Sequence, residues 1–434
     1  MSRLEKAFTE TELGWIPEDW DISNLEDLTI KITDGAHHSP PTFEGGYPIA
    51  TVENMEYSSI NVSACRTISS EDFELLKRNS CSPEYGDVLL SKDGTIGKTL
   101  VYKQKDEIVL LSSIAIIRNN KNALLPQYLM FFLQSPYFYW NLERLRSGSA
   151  IKRIVLKDIK RVLLPIPSLK EQQKIASILS SVDEAIEKTE AIIEQTERVK
   201  NGLMQQLFTK GIGHTTFKKT EIGDIPKDWE LKTLEEILEV CQYGLSDALS
   251  LEQKGFPVLR MGNLQNGIVD TGKLKYLDVP EGNVKDFLLE NGDILFNRTN
   301  SEELVGKTSI FQEDFSCSFA SYLIRLRPKK NKVDSHFLNY YMNSGAGQNR
   351  IRRYIALGVS QCNISASNLK KVYMPIPNIE EQKKIVNIVC SSDKKIEVEK
   401  RRLSQLQRLK QGLMQSLLTG KVRVKVDEAE VTQV

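Results

Sequence analysis

The chain is written twice. The stretch "TELGWIPEDW" at 11–20 returns as "TEIGDIPKDW" at 220–229, 209 residues on. "YGDVLLSKDGTIGKT" at 85–99 returns as "NGDILFNRTNSEELVGKT" at 291–308, with three residues inserted before the shared Gly-Lys-Thr. "LLPIPSLKEQQKIASIL" at 163–179 returns as "YMPIPNIEEQKKIVNIV" at 373–389, and "NGLMQQLFT" at 201–209 as "QGLMQSLLT" at 411–419. Self-similarity of this kind fixes the architecture ahead of any local reading, because each copy must bury its own core. A chain of 434 residues, 40% hydrophobic and 26% charged, is long enough to do so two or three times over.

Each copy has two parts of different character. Short β-type runs such as "DVLLS", "IVLLSSIAIIR", "PVLRMG", "DILFN" and "SYLIRLRP" alternate with Gly, Asn, Asp and Pro, which reads as a mixed α/β body with a substantial sheet. After each Pro-Ile-Pro the pattern turns helical. Ser168 or Asn378 caps, Glu171 or Glu381 follows three residues later as in a capping box, and no proline interrupts the next forty or so residues. The predicted division is a first body over 1–167, a helix over 168–209, a second body over 210–377, a helix over 378–420 and a tail over 421–434.

Apolar residues recur at heptad spacing along both helices. In the first, Ile175, Val182, Thr189, Thr196 and Leu203 form one row and Ile178, Ala185, Ile192 and Val199 another, with Ile186 and Ile193 beside them. In the second the row is Ile385, Ile388, Val389, Ile396, Leu403, Leu406, Leu409 and Leu413. A stripe on a rod of about 60 Å needs a partner. The two helices are each other's obvious partner in a coiled coil; the alternative is that each packs on its own body. Two such rods would act as a spacer, so that a duplicated body reads two copies of something or one long thing at two places.

Several chemistries fail on spacing. A phosphate-binding loop needs G-x-x-x-x-G-K-[ST]. Five residues before Gly97 stands Lys92, and five before Gly306 stands Ser301, so the first glycine is missing from both copies. The residues after each triplet read as strand and turn rather than helix. "SPPT" at 39–42 approaches the tetrapeptide of amino-methyltransferases but places Thr42 where an aromatic ring must stack on a flipped base. Asp158-Ile159-Lys160 has no convincing upstream acid for a nuclease, and His37-His38 belongs to no nucleophile pattern. The six cysteines form no CxxC pair and the four histidines no zinc spacing, so reduced thiols and no metal site are expected. No apolar leader opens the chain and no window is apolar enough for a membrane helix, which leads to the expectation of a cytoplasmic protein.

The formal net charge is only +1, so distribution matters more than total. Residues 142–161 carry Arg144, Arg146, Lys152, Arg153, Lys157, Lys160 and Arg161 against Glu143 and Asp158. Residues 347–371 carry Arg350, Arg352, Arg353, Lys370 and Lys371 and no acid.

The order Gly-x-Ile-Pro-x-Asp-Trp, variable body, Pro-Ile-Pro-x-x-x-Glu-Gln-x-Lys-Ile and long helix ending Gly-Leu-Met-Gln-x-Leu, given twice over residues 11–425, closely resembles the specificity subunit of type I restriction–modification systems. The resemblance implies a non-catalytic reader of double-stranded DNA. Two target-recognition domains would each read one half of a bipartite, asymmetric site, and the two helices would pack antiparallel as spacer and docking surface. Its partners would be two methylation subunits bringing S-adenosylmethionine, and restriction subunits bringing ATP and Mg²⁺; no cofactor is expected in this chain itself.

Sequence readers hold phosphates with cations and small hydroxyls and read base edges with Arg, Asn, Gln and acids. In the first body the polar loops that fit offer Lys31, Thr33, Asp34, His37, His38, Lys92, Asp93, Thr95, Lys98, Arg146, Lys152 and Arg153. In the second they offer Gln242, Tyr243, Ser246, Arg260, Asn263, Arg298, Asn300, Ser301, Lys307, Arg350, Arg352, Arg353, Gln361 and Asn363. For any one of these, a solvated loop or a cap is as good a reading as a DNA contact. Lys98 and Lys307, after their glycines, are expected to face a DNA phosphate. The framework repeats while "TDGAHHSPPTFEGG" and "YGLSDALSLEQKG" share little, so the two half-sites should differ in sequence. Two other classes stay open. Cofactor or ATP binding by the purified chain would make it a DNA methyltransferase or NTPase in its own right, and a lack of salt-sensitive DNA binding would make it a protein scaffold.

Overall fold

The computed structural model describes residues 8–145, 153–356, 358 and 361–426. The chain forms two compact units, one from the chain up to Glu190 together with the chain from Arg401 onward, the other from Ala191 to Lys400. Each unit therefore takes in one body and part of both long helices.

In the first unit an antiparallel sheet runs in the order Thr29–Asp34, Ile114–Asn119, Val88–Ser91, Thr99–Val101. Both of its faces are covered. Val88, Leu90, Ala115 and Ile117 pack against Tyr128, Leu129 and Phe132 of the helix Pro126–Gln134, which opens with its proline at the first turn. Leu89, Leu100, Ile114 and Ile116 pack the other way, against Ala50, Met55 and Ile60. This two-sided burial is why "DVLLS" is a continuous apolar run rather than an alternation. A smaller sheet joins Arg66–Ile68, Tyr47–Ala50 and Val109–Leu110. The run 108–118, which reads as one strand, is two strands in two sheets, broken at Ser112-Ser113.

The second unit repeats the plan with additions. Its main sheet runs Leu238–Tyr243, Leu323–Pro328, Ile294–Asn297, Thr308–Ile310 and then a short hairpin, Ile268–Val269 with Leu264–Gln265. A smaller sheet joins Lys275–Leu277, Phe256–Leu259 and Ser318–Phe319. In both units the Pro-Ile-Pro strand closes the body by pairing with the strand just after the opening motif: Leu163–Ile166 with Asp21–Asn24, and Tyr373–Ile376 with Glu230–Thr233. A two-stranded ribbon of this kind has the free edges on which proline is tolerated.

The long helices are Leu169–Lys210 and Ile379–Leu417. Within each unit they run antiparallel. In the first, Asp183 meets Lys410 at 2.7 Å while Glu171, earlier in its helix, meets Arg423 beyond the end of the other. In the second, Glu197 meets Lys400 at 2.9 Å, and Lys200 meets Asp393. The Gly-Leu-Met-Gln segments end in the body cores: Met414, Leu417 and Leu418 join Ile175, Ala176 and Leu179 in the first unit, and Met204, Leu207 and Phe208 join Ile385 and Val389 in the second.

Of the stripe residues, Ile175, Ile186, Ile385 and Ile396 are buried, whereas Ile178, Val182, Ile193, Leu203, Leu403, Leu406 and Leu413 are half-buried. Three depart from the expected seam: Ile388 is 36%, Val199 52% and Leu409 51% exposed. Ile388 lies at the stripe edge because its neighbour Val389, four residues from Ile385, takes the inward position. Among the described residues no helix is long and apolar enough to cross a membrane.

The repeated Trp and Glu-Gln residues form the junction of body and helix. Trp20 Nε1 donates to Glu171 Oε2 at 3.1 Å, and Trp229 Nε1 to Glu381 Oε2 at 3.0 Å. In the first unit Arg423 completes the junction, bidentate to Glu171 at 2.7 and 2.8 Å and to Asp19 at 2.6 and 2.9 Å. In the second, His214 Nε2 lies 2.9 Å from Glu381 Oε1, which also accepts from the Ile212 backbone. The carboxylates expected to close capping boxes thus turn to the tryptophans, while Ser168 and Asn378 still cap, accepting from the Glu171 and Glu381 amides. The adjacent glutamines knit loops: Gln172 accepts from Leu125 and donates to Ala123 and Pro167, and Gln382 accepts from Asp334 and donates to Lys332 and Pro377.

Candidate nucleic-acid interface

In the first unit two loops and Arg153 converge. The strand Thr29–Asp34 carries half-buried Lys31 and Thr33 and runs into exposed His37 and His38. The hairpin between Val88–Ser91 and Thr99–Val101 brings Lys92 to Lys98 alongside, and Arg153 reaches Asp93 at 3.4 Å. Thr95 and Arg153 are exposed. Two of the expected contacts, Lys92 and Asp34, are buried. Lys92 is only 3% exposed, and its ammonium lies 2.8 Å from Asp34 Oδ2, with His37 Nε2 3.2 Å from Asp34 Oδ1. A buried ammonium is tolerable only beside a carboxylate, so Lys92 and Asp34 hold each other. Lys98, expected to face a phosphate, is exposed and donates to the carbonyls of Met55 at 3.0 Å and Val52 at 3.4 Å. Arg146 and Lys152 lie outside the described residues.

The Gly-Lys-Thr triplet is a hairpin device. Gly97 and Gly306 have φ of 92° and 90°, a left-handed conformation that a side chain resists. A Cβ on Gly97 would also strike the Tyr139 hydroxyl. Gly97 N–H returns to Ser91 O at 3.0 Å, and Gly306 N–H to Asn297 O at 2.8 Å. The strands Thr99–Val101 and Thr308–Ile310 come next, so no helix N-terminus stands behind the triplet to hold a phosphate.

In the second unit the equivalent loops meet around Arg298. Its guanidinium carbon sits 4.7 Å from the centroid of the Tyr243 ring, Nη2 donates to Asn363 Oδ1 at 3.1 Å, and Nη1 lies 3.4 Å from Ser321 O. Gln242 is half-buried and accepts from Arg325. Ser246, Ser301, Lys307, Arg352, Arg353, Gln361 and Asn363 are exposed, while Arg260 and Asn300 are half-buried. Two further residues are engaged within the unit. Asn263 is 3% exposed and acts as a turn filler, accepting from Arg260 N–H and donating to Asp270 and Lys273 carbonyls. Arg350 lies over the Tyr341 ring with Nη1 buried. Burial, with Arg353 adding repulsion, pulls its pKa down to about 10. The two basic segments also disperse: Lys160 pairs with Glu26, Lys370 with Glu235, and Arg144 stacks on Trp140.

The two surfaces correspond position by position. Asp34 and Tyr243 occupy the same place at the end of the first sheet strand, opposite Ala115 and Ile324. Lys92 N–H donates to Ser113 O and the Lys92 carbonyl accepts from Ile154 N–H, just as Arg298 N–H donates to Tyr322 O and its carbonyl accepts from Ile364 N–H. An ion pair in one unit is therefore a cation–π pair in the other. Beside them lie concavities of about 340 Å³, lined by Thr33 to His38 with Asp72 and Asn79, and about 460 Å³, lined by Ser246, Asp247, Arg260, Ser321 and Tyr322. Tyr322, 52% exposed, was not singled out by sequence reasoning; its signal is a large aromatic at the mouth of a buried strand.

The comparisons with known proteins show the same duplication. The sequence profile described as "Type I restriction modification DNA specificity domain" matches twice, over residues 17–198 and 226–408. The chain is 32% identical over 434 residues to a putative type I restriction enzyme MjaX specificity subunit of Methanocaldococcus jannaschii, covering 97% of this chain and 98% of that one. It is 28% identical over 431 residues to the MjaVIII specificity subunit of the same organism, covering 97% of each. Among solved structures, a chain from a study of complex assembly and conformational transition of the type I R-M system aligns with a TM-score of 0.58 at 16% identity, over 94% of this chain and 99% of that one. The type I S subunit from M. genitalium aligns with a TM-score of 0.54 at 17% identity, over 92% and 96%; these two likenesses concern the fold alone. With both repeats matched and relatives aligned nearly end to end, the chain belongs to the family of type I restriction–modification DNA specificity subunits.

Proposed function

We propose that each body of this non-catalytic subunit reads one half of a bipartite, asymmetric site in double-stranded DNA. The long helices set the unread gap and dock two methylation subunits, which carry S-adenosylmethionine; restriction subunits carry ATP and Mg²⁺, and the assembly works in the cytoplasm. The observation that carries this reading is the pair of equivalent surfaces on one frame, with Asp34–Lys92 in one unit where the other has Tyr243–Arg298. A frame kept while its exposed loops diverge is what two different half-sites require. Methylome sequencing of a host expressing this chain with its cognate methylation subunit tests it. Two unlike half-sites at a fixed gap are expected; two identical half-sites, or no recurrent site, would overturn it.

Spacer and reader are separable by alteration of the chain. Removing seven residues from both long helices at equivalent positions shortens each by about 10 Å, or about three base pairs at roughly 3.4 Å each. The methylated half-sites should keep their sequences and move closer by that amount; an unchanged gap would end the spacer role. Lys98→Ala should leave the salt dependence of DNA binding by the assembled complex unchanged, because its ammonium is already held by the Val52 and Met55 carbonyls. A slope smaller by about one would instead show a lost phosphate contact.

A further inference from the structure

We infer that Arg298 reads a guanine in the second half-site, and that the equivalent place in the first unit is closed to such a contact. The inference rests on the two-half-site reading and adds the identity of one base. The guanidinium is fixed on three sides. Its face lies on Tyr243, 4.7 Å from the ring centroid. That ring is itself pinned, since its hydroxyl accepts from the Ala366 amide at 2.7 Å. Asn363 Oδ1, which takes Arg298 Nη2 at 3.1 Å, is placed by the pairing of Cys362–Asn363 with Thr299–Asn300. Each terminal nitrogen of an arginine carries two hydrogens. Nη2 gives one to Asn363 and Nη1 one to Ser321 O, leaving on each nitrogen a second hydrogen for a ligand. Two donors on one guanidinium plane suit the O6 and N7 acceptors of guanine in the major groove, and no other base offers two acceptors there. The plane stands at the wall formed by Ser321 and exposed Tyr322, beside the concavity of about 460 Å³.

The first unit supplies the contrast. Lys92 has the same backbone partners as Arg298, yet its ammonium is 3% exposed and lies 2.8 Å from Asp34. With Tyr243 replaced by Asp34, the cation folds back on its neighbour, and reading there falls to the exposed residues around it, such as His37 and Arg153.

The test is competition binding by the complex of this chain with its methylation subunits. The DNA holds the first half-site fixed and the second randomised one position at a time. The wild type should prefer guanine at one position of the second half-site by about 5- to 150-fold, the range of a bidentate base contact. Arg298→Lys, which keeps the charge and loses the planar fork, should weaken that preference, leave the salt slope as it was and leave every first-half-site position untouched. Asn363→Ala should weaken the same preference, and Arg298→Ala should remove it. If Arg298→Ala fails to assemble, Arg298→Lys and Asn363→Ala decide. An undiminished guanine preference in Arg298→Lys or Arg298→Ala, absence of any guanine preference in the wild-type second half-site, or a uniform loss across all bases with a reduced salt slope in Arg298→Ala would overturn the inference; the last would make Arg298 a phosphate contact. A wild-type complex with no sequence preference in either half would instead overturn the half-site reading itself.

Discussion

Glu171→Ala should destabilise the first unit by about 3–5 kcal/mol, the range for removing one partner of a buried ion pair, and Glu381→Ala should do comparable damage to the second. Glu171 is 4% exposed and accepts from Trp20 Nε1 and from two nitrogens of Arg423. Alanine leaves a buried indole N–H without its acceptor and an arginine stacked on Trp20 with only the more exposed Asp19 to balance it. Glu381 serves Trp229, His214 and the Ile212 amide, so its loss strands three groups at once. Glu171→Gln should fall between wild type and alanine, keeping an acceptor for Trp20 but not the charge opposite Arg423. Hydrogen exchange read by mass spectrometry checks the effect unit by unit. In Glu171→Ala, peptides around Trp20, residues 169–180 and 410–425 should lose protection while those around Trp229 and 381–390 keep it. Uniform protection across both sets would mean that the junction does not hold body to helix.

The duplicated motifs were legible in the sequence as motifs, but their physical roles were not. Trp20 and Glu171 stand at opposite ends of a body, and only the fold brings them within a hydrogen bond. The same distance in sequence hid the fate of Lys92 and Asp34: each reads as a polar loop residue, and their mutual burial depends on a strand and a hairpin meeting. Asn263 shows the opposite difficulty. Its polarity suits a base contact and equally suits the satisfaction of Arg260, Asp270 and Lys273 backbone groups in a turn, and the second use prevails. Helix type and length come from periodicity and capping, but the seam does not keep a strict heptad. Toward their ends the helices are covered by the bodies as well as by each other, so Met204, Leu207 and Phe208 are buried although they lie off the two rows, and Val199 on a row is not. The missing glycine of the phosphate loop was decisive at sequence level because it is a local requirement, and the hairpin at Gly97 is a local outcome.

Asp87→Ala and Asp293→Ala should each cost about 3–5 kcal/mol and weaken specific binding through the half-site read by the altered unit. The repeated Gly-Asp ahead of the triplet is explained by these carboxylates. Asp87 and Asp293 are 2% and 1% exposed. Each accepts a bidentate arginine from the neighbouring strand, Arg118 at 2.9 and 2.9 Å and Arg327 at 2.7 and 2.8 Å, and each also accepts the amide three residues before it, at Glu84 and Glu290. The carboxylates hold both guanidinium groups above the ordinary arginine range. Alanine therefore leaves a backbone N–H without its acceptor and a partly buried guanidinium with only the more exposed Glu84 or Glu290 to balance it. The functional consequence comes through the sheet. Arg118 lies on the strand Ile114–Asn119, which pairs on one side with Thr29–Asp34, the strand leading to His37, and on the other with Val88–Ser91, the strand leading to Asp93. Loosening that strand loosens both reading loops at once. Asp87→Asn keeps an acceptor and should recover part of the loss. Urea unfolding of the variants, with competition binding against DNA altered in one half-site at a time, separates the outcomes. Asp87→Ala should relax discrimination in the first half-site only, and Asp293→Ala in the second only. Equal relaxation of both by either variant would show that the two surfaces are not independent readers.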